Sequence, residues 1–400
     1  MALQDRGVPT LLVIPLIQFI VLLLLFMALL YGQRDLALLT ILILCFVGGA
    51  WLWTKASLFG LTCHSLVDKA KCFPGAKLTY VIKAENKKIL PIWLQLLVPI
   101  SEQLHASPGE KTLIREGCLF WFQRAHFQWE LTAKRRGVHQ IGPPHILAGD
   151  MFAFFFRKIK FAEQHQILVY PRTFPLPAFS LPRRDFFGIP GAKSPVQDPI
   201  FLLGTRDYQH GRPAKYIHWK ASARRNCLQE KVLEPTQQEK VLLVVNVTQF
   251  ARHQAEEDFE KTLEMAASLA SQFNQCGLSL GLVTNGSLEG GGTSIVPIAR
   301  NNQQLPLIME LLARLQMKTR VTIKEALDSG TALAWGLSCV YLCYQDDGTV
   351  DVMDEYFRQF RTPVVFLVCH PRSAARQDRS PSTRNVYQLK EMYVQEMVNQ

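Results

Sequence analysis

Two uncharged apolar stretches open the chain, and shorter apolar runs separated by polar turns follow them. The first stretch covers residues 11–32 and the second covers residues 36–54. A helix needs about 20 apolar residues to cross the hydrocarbon core of a bilayer, which is about 30 Å thick. Both stretches reach that length, so the pattern predicts a transmembrane helical hairpin over residues 11–55. Two buried core helices or a cleaved signal peptide fit the pattern less well.

The distribution of Lys and Arg around the two stretches indicates their orientation. Arg34 is the only cation between them, whereas Arg6 lies on the amino side and Lys55 begins the carboxyl side. Cations are enriched on the cytoplasmic side of membrane proteins. We therefore expect a multi-pass cell-membrane protein in contact with the lipid bilayer, with residues 1–10 as a cytoplasmic tail and the main body also in the cytoplasm.

Residues 61–170 show the two-residue period of half-buried strands. Residues 77–86, KLTYVIKAEN, alternate apolar and polar side chains, and residues 90–100 form an apolar run bounded by prolines. Residues 118–137 mix aromatic with polar residues at near period two. Gly and Pro separate these segments, so the pattern predicts a β-sandwich-like domain. Residues 171–240 are predicted to form a Pro-rich connection followed by a basic segment.

From residue 241 the pattern becomes that of an α/β domain. Residues 241–247, VLLVVNV, form a continuous apolar run, which is typical of a strand buried on both faces. Apolar residues spaced by three and four then predict a helix over residues 259–277, and further strands and helices alternate as far as residue 370. This alternation predicts a mostly parallel, doubly wound sheet over residues 241–370, with a basic tail over residues 371–400.

Composition and charge narrow the choice of environment and partner. Charged residues make up 19% of the chain, below the roughly 25% of soluble proteins, which fits a partly membrane-embedded chain. Of the net charge of +11, a net +7 lies between Arg172 and Lys231, where eleven Lys or Arg face four acids. Anionic lipid, a phosphorylated ligand or nucleic acid would be attracted there, and an ordinary solvated surface explains it equally well. Nucleic acid is least favoured because no known binding module is present. The nine cysteines include no C-x-x-C pair, which favours a reduced compartment.

The segment RDYQHGRPAKYIHWKASAR, residues 206–224, combines cations, a His and aromatic residues and is the candidate ligand or partner motif. Pro213 suits the first position of a helix, so we expect a helix from there to about Asn226. On that helix, one face would present Lys215, His218, Ser222 and Arg225, and the adjacent face would pack through Tyr216, Trp219 and Ala223. The candidate ligand or partner residues are Arg206, Asp207, Tyr208, Gly211, His218, Trp219, Lys220, Ser222 and Arg224.

Three roles for this motif remain open at the level of sequence. It can be a clamp between domains, an anion or phosphate site at the positive end of the helix, or a catalytic pair of His218 with Asp207. Asp207 can also pair with Arg206, Arg212 or Lys220. Because neither a nucleophile nor an oxyanion site accompanies the His, no catalytic residue is assigned. Residues 227–235 are predicted to return as a strand to the sheet that begins at residue 241.

The segment over residues 206–247 resembles the signature of domain-of-unknown-function family 58. The shared pattern is Arg-x-Tyr, a Gly-Asp pair, Ile-His-Trp-Lys, Ser/Thr-Ala-Arg and an apolar strand, and here Arg212 replaces the acid. Residues 134–152 and the segment ILVYPRTFPLP also resemble the family. The resemblance implies a bacterial membrane protein whose carboxyl half is similar to a von Willebrand factor type A domain. It also implies genes for a MoxR-type AAA+ ATPase and sometimes a transglutaminase-like membrane protein nearby, and it implies no defined catalytic activity.

The resemblance also identifies positions where a metal would bind. A von Willebrand factor type A domain holds a divalent cation with Asp-x-Ser-x-Ser after its first strand. Here Asn246, Thr248 and Phe250 occupy those positions, while Asp346 and Asp347 follow a later strand. A hard cation prefers charged oxygen ligands, so we expect no metal and no cofactor, and the two acids also fit an ordinary turn.

These observations predict a membrane-anchored, multi-domain protein with two transmembrane helices, a β-sandwich-like domain and a von Willebrand factor type A-like α/β domain. We expect a non-enzymatic adaptor that presents its cytoplasmic domains to a protein partner such as a MoxR-type ATPase. The alternative is an enzyme or anionic-ligand receptor in cell-envelope metabolism that acts through Arg206, Asp207, His218 and Lys220.

Overall fold

In the computed structural model the chain forms two compact units, Met1–Tyr170 and Pro171–Gln400. The structure describes residues 8–57, 59–106, 111–150, 155–176, 197–209, 214–235, 240–330, 337–371 and 385–390. Each unit is built from its own sheets and helices.

Two apolar helices begin the first unit, α1 (Val8–Leu30) and α2 (Arg34–Ser57). The segment Arg34–Ala56 of α2 has a mean hydropathy of 2.3 and is only 11% buried, so it is long and apolar enough to cross a membrane. In α1 the described apolar segment, Leu16–Leu30, is shorter. Among the described residues one helix therefore meets the requirement for a span, and the second span stays a prediction.

Strands make up the rest of the first unit. They are β1 (Leu61–Val67), β2 (Lys71–Cys72), β3 (Lys77–Asn86), β4 (Ile92–Pro99), β5 (Leu104–His105), β6 (Thr112–Leu119), β7 (Arg124–Ala133), β8 (Gly137–Ile141), β9 (His145–Gly149), β10 (Phe156–Lys160) and β11 (His165–Val169). Two four-stranded antiparallel sheets have the orders β1-β3-β7-β5 and β10-β9-β4-β6, and β2-β11-β8 form a third sheet.

The alternation seen in the sequence produces the core of this unit. In β3 every second side chain is buried, including Leu78, Tyr80 and Ile82. They join one apolar cluster with Leu94 and Leu96 of β4, which lie in the other four-stranded sheet. Successive side chains of a strand point to opposite faces, so each sheet contributes one apolar face to the shared core.

The second unit combines helices with two kinds of sheet. Its elements are β12 (Gln197–Asp207), a 3₁₀ turn (Ala214–Tyr216), α3 (Trp219–Arg225), β13 (Gln229–Pro235), β14 (Lys240–Val245), α4 (Thr248–His253), α5 (Glu256–Gln275), β15 (Ser279–Thr284), β16 (Gly286–Leu288), β17 (Ile295–Ala299), α6 (Gln304–Arg314), β18 (Leu315–Thr319), α7 (Ile323–Gly330), β19 (Leu337–Gln345), α8 (Gly348–Gln359), β20 (Val364–His370) and β21 (Asn385–Gln388). Strands β16 and β18 form a small antiparallel pair.

The main sheet has the order β17-β15-β14-β19-β20-β21, and all its strands except β17 run parallel. The mixed α/β architecture predicted from the alternation is therefore confirmed. Leu242 and Val244 of β14 join a cluster with residues of α7 and α8. The alternate residues Val241 and Leu243 are also fully buried, and α5 contacts the same strand. Both faces of the sheet are covered, which explains the continuous apolar run in the sequence.

Three predictions about the second unit are wrong. Residues 227–235 were expected to join the main sheet, but β13 pairs antiparallel with β12 in a separate hairpin. The tail after residue 371 was expected to lie outside the domain, but β21 adds a parallel strand to the sheet edge. The helix expected from Pro213 begins only at Trp219, after the 3₁₀ turn.

Candidate functional site

The motif of residues 206–224 is built around the β12–β13 hairpin. Arg206 lies opposite Glu230, and Asp207 lies opposite Gln229. The connection between the strands contains the 3₁₀ turn and α3, and Ile217 forms an isolated bridge to Glu230. Side chains from the connection therefore lie beside the two strand ends. Gly211 falls outside the described residues.

Arg206 forms an ion pair with the buried carboxylate of Glu230. Its Nη2 lies 2.9 Å from Oε1 of Glu230, whose side chain is 3% exposed. Opposite residues on paired strands are close enough for such a contact. A buried charge needs a partner, so the guanidinium neutralises Glu230 inside the hairpin.

Asp207 and Ser222 both contact Gln229, which is fully buried. The Nε2 of Gln229 donates to Oδ1 of Asp207 at 2.5 Å. The backbone N–H of Gln229 donates to Oγ of Ser222 at 2.8 Å, and that hydroxyl donates to the carbonyl of His218 at 3.0 Å. The backbone N–H of Tyr208 donates to the carbonyl of Leu228 at 2.8 Å. These hydrogen bonds fasten α3 to the hairpin.

His218 acts as the amino-terminal cap of α3. Its Nδ1 accepts the backbone N–H of Ala221 at 3.0 Å, as an Asn or Asp cap would. Its own backbone N–H donates to the carbonyl of Gln229 at 2.8 Å. The Nδ1 that accepts the cap hydrogen bond is not available as a base, and the partner of Asp207 is Gln229 rather than this ring.

The predicted division of the helix into a packed face and a polar face is wrong. Trp219 was expected to pack, but it is 68% exposed, and α3 has no buried residue. The buried apolar residue is Ile217, which precedes the helix. The 3₁₀ turn interrupts the expected helix, so the helical spacing of three, four and three residues that the prediction used does not apply before Trp219.

The exposed residues of α3 are Trp219, Lys220, Ala223, Arg224 and Arg225. Residues at positions i and i+4 lie on the same side of a helix, so Trp219 lies beside Ala223, and Lys220 lies beside Arg224. We call these two pairs of residues the α3 surface. The motif thus divides its residues: Arg206, Asp207, His218 and Ser222 hydrogen-bond within the hairpin and its connection, while Trp219, Lys220 and Arg224 are exposed.

A second candidate site lies at the carboxyl ends of the main-sheet strands, where α/β domains usually bind ligands. Asn246 follows β14 and is buried. Its Nδ2 donates to the hydroxyl of Tyr341 at 2.8 Å, and its Oδ1 accepts from Nδ2 of Asn285 and from the backbone N–H of Thr248, both at 3.1 Å. Asn285 Nδ2 also donates to Oγ1 of Thr248 at 2.8 Å. Neutral amides and hydroxyls satisfy one another at these positions.

The strand order reverses between β14 and β19, and Gln249 bridges that point. Its Nε2 donates to the carbonyl of Gln345 at 3.1 Å and to Oγ1 of Thr349 at 3.2 Å, and its Oε1 accepts the backbone N–H of Gln345 at 2.9 Å. Phe250, at the third predicted metal position, is fully buried. The crevice is therefore occupied by the side chains of the chain itself.

The two acids after β19 have structural positions. Asp347 caps α8, where its Oδ1 accepts the backbone N–H of Thr349 at 2.8 Å and also accepts the Thr349 hydroxyl. Burial opposes ionisation of Asp347, but the hydrogen bonds from Thr349 outweigh it and lower the pKa of Asp347 below its usual value. The backbone N–H of Asp346 donates to the carbonyl of His370 at 3.2 Å. Among the described residues, no three His, Cys, Asp or Glu side chains gather as a metal site would require.

Residues of both networks were missed by the sequence reasoning. Glu230 and Gln229 lie in a strand whose partner was assigned wrongly, so their contacts with the motif were not foreseen. Asn285 follows a predicted strand, and its position at a parallel strand end was a usable signal. Tyr341 sits in an apolar run and gave no signal.

Part of the chain is similar to a known protein family and to a curated protein. Residues 204–334 match the family model described as "Protein of unknown function DUF58". This match includes the whole motif and confirms the predicted resemblance over that part of the chain. The "Uncharacterized protein YeaD" of Bacillus subtilis is 23% identical over 258 residues, which cover 62% of this chain. The chain spans 60% of the length of this curated relative.

Two solved structures show weak likeness. The CARDB domain of the PF1109 protein from Pyrococcus furiosus has a TM-score of 0.20 at 11% identity, over 27% of this chain and 91% of that one. A human complex of zinc 2-glycoprotein with prolactin inducible protein has a TM-score of 0.21 at 12% identity, over 27% of this chain and 92% of that one. Scores this low carry no argument about fold or function.

Proposed function

We propose that this protein is a non-enzymatic adaptor, anchored in the cell membrane by a helical hairpin, that presents its cytoplasmic body to a protein partner. The observation that carries the proposal is the division within the motif. Arg206, Asp207, His218 and Ser222 make hydrogen bonds within the hairpin and its connection, whereas Trp219, Lys220 and Arg224 are exposed. Such an arrangement suits binding better than catalysis.

The α3 surface has the composition of a protein-binding hot spot. Trp and Arg are the residues most often found to dominate binding energy at interfaces. The adjacent cations Lys220 and Arg224 would favour an acidic patch on the partner. In this proposal the second unit is a von Willebrand factor type A-like domain in which Asn246 and Phe250 stand at two of the three first-strand metal positions, and the partner is a MoxR-type AAA+ ATPase. A transglutaminase-like membrane protein would belong to the same assembly.

The test measures binding of the full chain, in phospholipid nanodiscs, to a purified MoxR-type ATPase of the same organism. We expect Trp219→Ala to weaken binding by roughly thirtyfold, because a hot-spot truncation costs about 2 kcal/mol or more. Val352→Ala is the matched control, because Val352 is a similarly exposed apolar residue on another helix of the same unit. Equal affinity of both variants would reject the α3 surface, and no binding by the wild type would reject the partner.

Topology needs its own measurement. Reporter fusions at Arg34 and after Lys55 report the side of the membrane on which each position lies. We expect the first to lie outside the cytoplasm and the second within it, since the cations flank the predicted hairpin in that sense. A body outside the cytoplasm would exclude the ATPase partner.

A second candidate is a receptor for an anionic, phosphorylated ligand of cell-envelope metabolism. It is favoured by the exposed cations Lys220, Arg224 and Arg225 on one short helix. Thermal-shift measurements with phosphorylated compounds separate the two candidates. A stabilisation that is lost in Lys220→Ala would favour the receptor.

A further inference from the structure

We propose that one end of the β-strand domain docks onto the membrane surface through an exposed apolar rim, and that a lipid bilayer is its occupant. The rim consists of Phe59, Ile89, Phe120, Trp121 and Phe122. The inference rests on the membrane anchoring in the proposed function, because the rim adjoins the end of the apolar helix α2.

The rim residues are large, apolar and exposed. Their exposed fractions lie between 52% for Phe120 and 82% for Phe59. Three of them, Phe120, Trp121 and Phe122, are consecutive at the turn between β6 and β7. Single exposed apolar residues are ordinary on a protein surface, whereas a contiguous group marks an interaction site.

The rim residues lie on three loops, which follow α2, connect β3 to β4 and connect β6 to β7. Hydrogen bonds join these three loops. The backbone N–H of Phe122 donates to the carbonyl of Lys88 at 3.3 Å, and that of Lys87 donates to the carbonyl of Gly60 at 2.8 Å. The buried Asn86 donates from Nδ2 to the carbonyls of Leu90 and Phe120, both at 2.9 Å. The loops therefore form one ordered surface rather than separate tips.

The same surface is fastened to the carboxyl end of α2. Trp53 donates from Nε1 to the carbonyl of Pro91 at 2.9 Å, and Thr54 donates from Oγ1 to Oδ1 of Asp150 at 3.2 Å. Lys88 donates from Nζ to the carbonyl of Ala56, one of the last residues of the helix. When α2 crosses the bilayer, these contacts bring the rim to the level where the helix leaves it.

The chemistry of the rim fits the interfacial region of a bilayer. Trp and other aromatic residues are enriched at the level of the headgroups. Trp51 lies one turn inside α2 from Lys55, whose Nζ is 3.9 Å from the indole ring. The cations Lys55, Lys87 and Lys88 lie near these apolar residues along the chain, and an anionic membrane surface attracts such cations. An apolar group with flanking cations is the arrangement that an anionic lipid surface attracts.

The opposite end of the same domain provides a matched control. Strand β3 covers the ten residues from Lys77 to Asn86, so its ends are about 30 Å apart at about 3.3 Å per residue. Phe73 lies near the Lys77 end and is 47% exposed, close to the value for Phe120. Docking through the rim would leave Phe73 in water.

Site-specific photo-crosslinking tests this arrangement in the full chain. Benzoylphenylalanine replaces Trp121 in the rim, Phe73 at the opposite end, or Leu42, an exposed residue within α2. Each variant is reconstituted in nanodiscs of phosphatidylcholine and phosphatidylglycerol, irradiated and analysed by mass spectrometry. Each substituted side chain is exposed, so all three variants are expected to fold alike. Melting curves check this, and they should match.

We expect phospholipid adducts at positions 42 and 121 and no phospholipid adduct at position 73. An adduct at 42 but not at 121 would overturn the docking proposal and leave the anchor intact. Absence of lipid adduct at position 42 would overturn the anchor, and with it the inference that rests on it. Crosslinks from position 121 to a second copy of the chain or to another protein would also overturn the proposal.

Discussion

Replacing Asn285, which is fully buried, by Ala removes three hydrogen bonds from the network at the carboxyl ends of β14, β15 and β19. Asn285 accepts the backbone N–H of Val247 through Oδ1 at 2.8 Å and donates through Nδ2 to Asn246 and Thr248. The Ala variant would leave the Val247 N–H buried without its acceptor. This unmet donor costs about 1–3 kcal/mol, and each of the other two lost bonds costs about 0.5–1.5 kcal/mol, so we expect a total loss of roughly 2–6 kcal/mol.

Two further variants calibrate this expectation. Tyr341→Phe removes only the acceptor of Asn246 Nδ2, so it should cost about 1–3 kcal/mol, less than the loss in Asn285→Ala. Asn274→Ala changes an exposed Asn on α5 and should stay within about 0.5 kcal/mol of the wild type. The predicted order is therefore Asn285→Ala, then Tyr341→Phe, then Asn274→Ala.

Hydrogen exchange followed by mass spectrometry measures the effect locally in the full chain. Peptides covering residues 240–247 report the opening of β14 and its end, independently of the first unit. A loss of 2 kcal/mol corresponds to roughly thirtyfold faster exchange, since about 1.4 kcal/mol is a factor of ten. If Asn285→Ala exchanged no faster than Asn274→Ala, the amide network would not stabilise these strand ends, and the reasoning would be refuted.

Three further predictions concern caps and close packing. We expect His218→Ala to lower the free energy of unfolding by about 1 kcal/mol and His218→Asn to restore it, because Asn also caps a helix; thermal unfolding in detergent measures both, and equal losses would contradict the capping role. Asp347→Ala should cost about 0.5–2 kcal/mol near neutral pH, because α8 loses its cap. Burial opposes ionisation of Asp347, but hydrogen bonds from Thr349 outweigh it and lower the pKa of Asp347 in the folded state. The stabilisation by Asp347 is therefore present above the unfolded-state pKa and is lost as the pH falls through the folded-state pKa. The unfolding curves of the variant and the wild type should converge in acid, and a difference that stays constant with pH would argue against the cap. Gly281→Ala should destabilise the second unit by roughly 1–3 kcal/mol, because the added Cβ would lie 2.6 Å from Cγ1 of Ile298; an unchanged urea midpoint would count against this close approach.

The chain pattern predicted the elements of the core well and their partners poorly. Alternation identified β3, and a continuous apolar run identified β14, because burial on one or two faces leaves a period in the sequence. The pattern also placed Phe120, Trp121 and Phe122 in a strand, although they form an exposed turn. Period alone does not distinguish a buried aromatic residue from one exposed at the end of a sheet.

For the motif, too, the sequence predicted which residues matter but not which residues they contact. The residues of interest were identified from their composition, and Asn246 was recognised as a position where a carboxylate is replaced. Their contacts were not predicted, because Arg206 meets Glu230 only through the pairing of β12 with β13. Trp219 was expected to be packed, yet it is 68% exposed.

Sequence by itself determined where this protein is apolar, that β3, β14 and α5 form, and that residues 206–224 are unusual. Each of these properties depends on side chains within a few positions of one another, which the period and composition of a short segment express directly. Only the tertiary structure decided that the polar groups of the motif face one another, that amides fill the crevice between β14 and β19, and that an aromatic turn adjoins the end of α2. Those outcomes depend on which distant strands pair. The free energy of that pairing comes from contacts across the whole core, so no single segment of the sequence determines it.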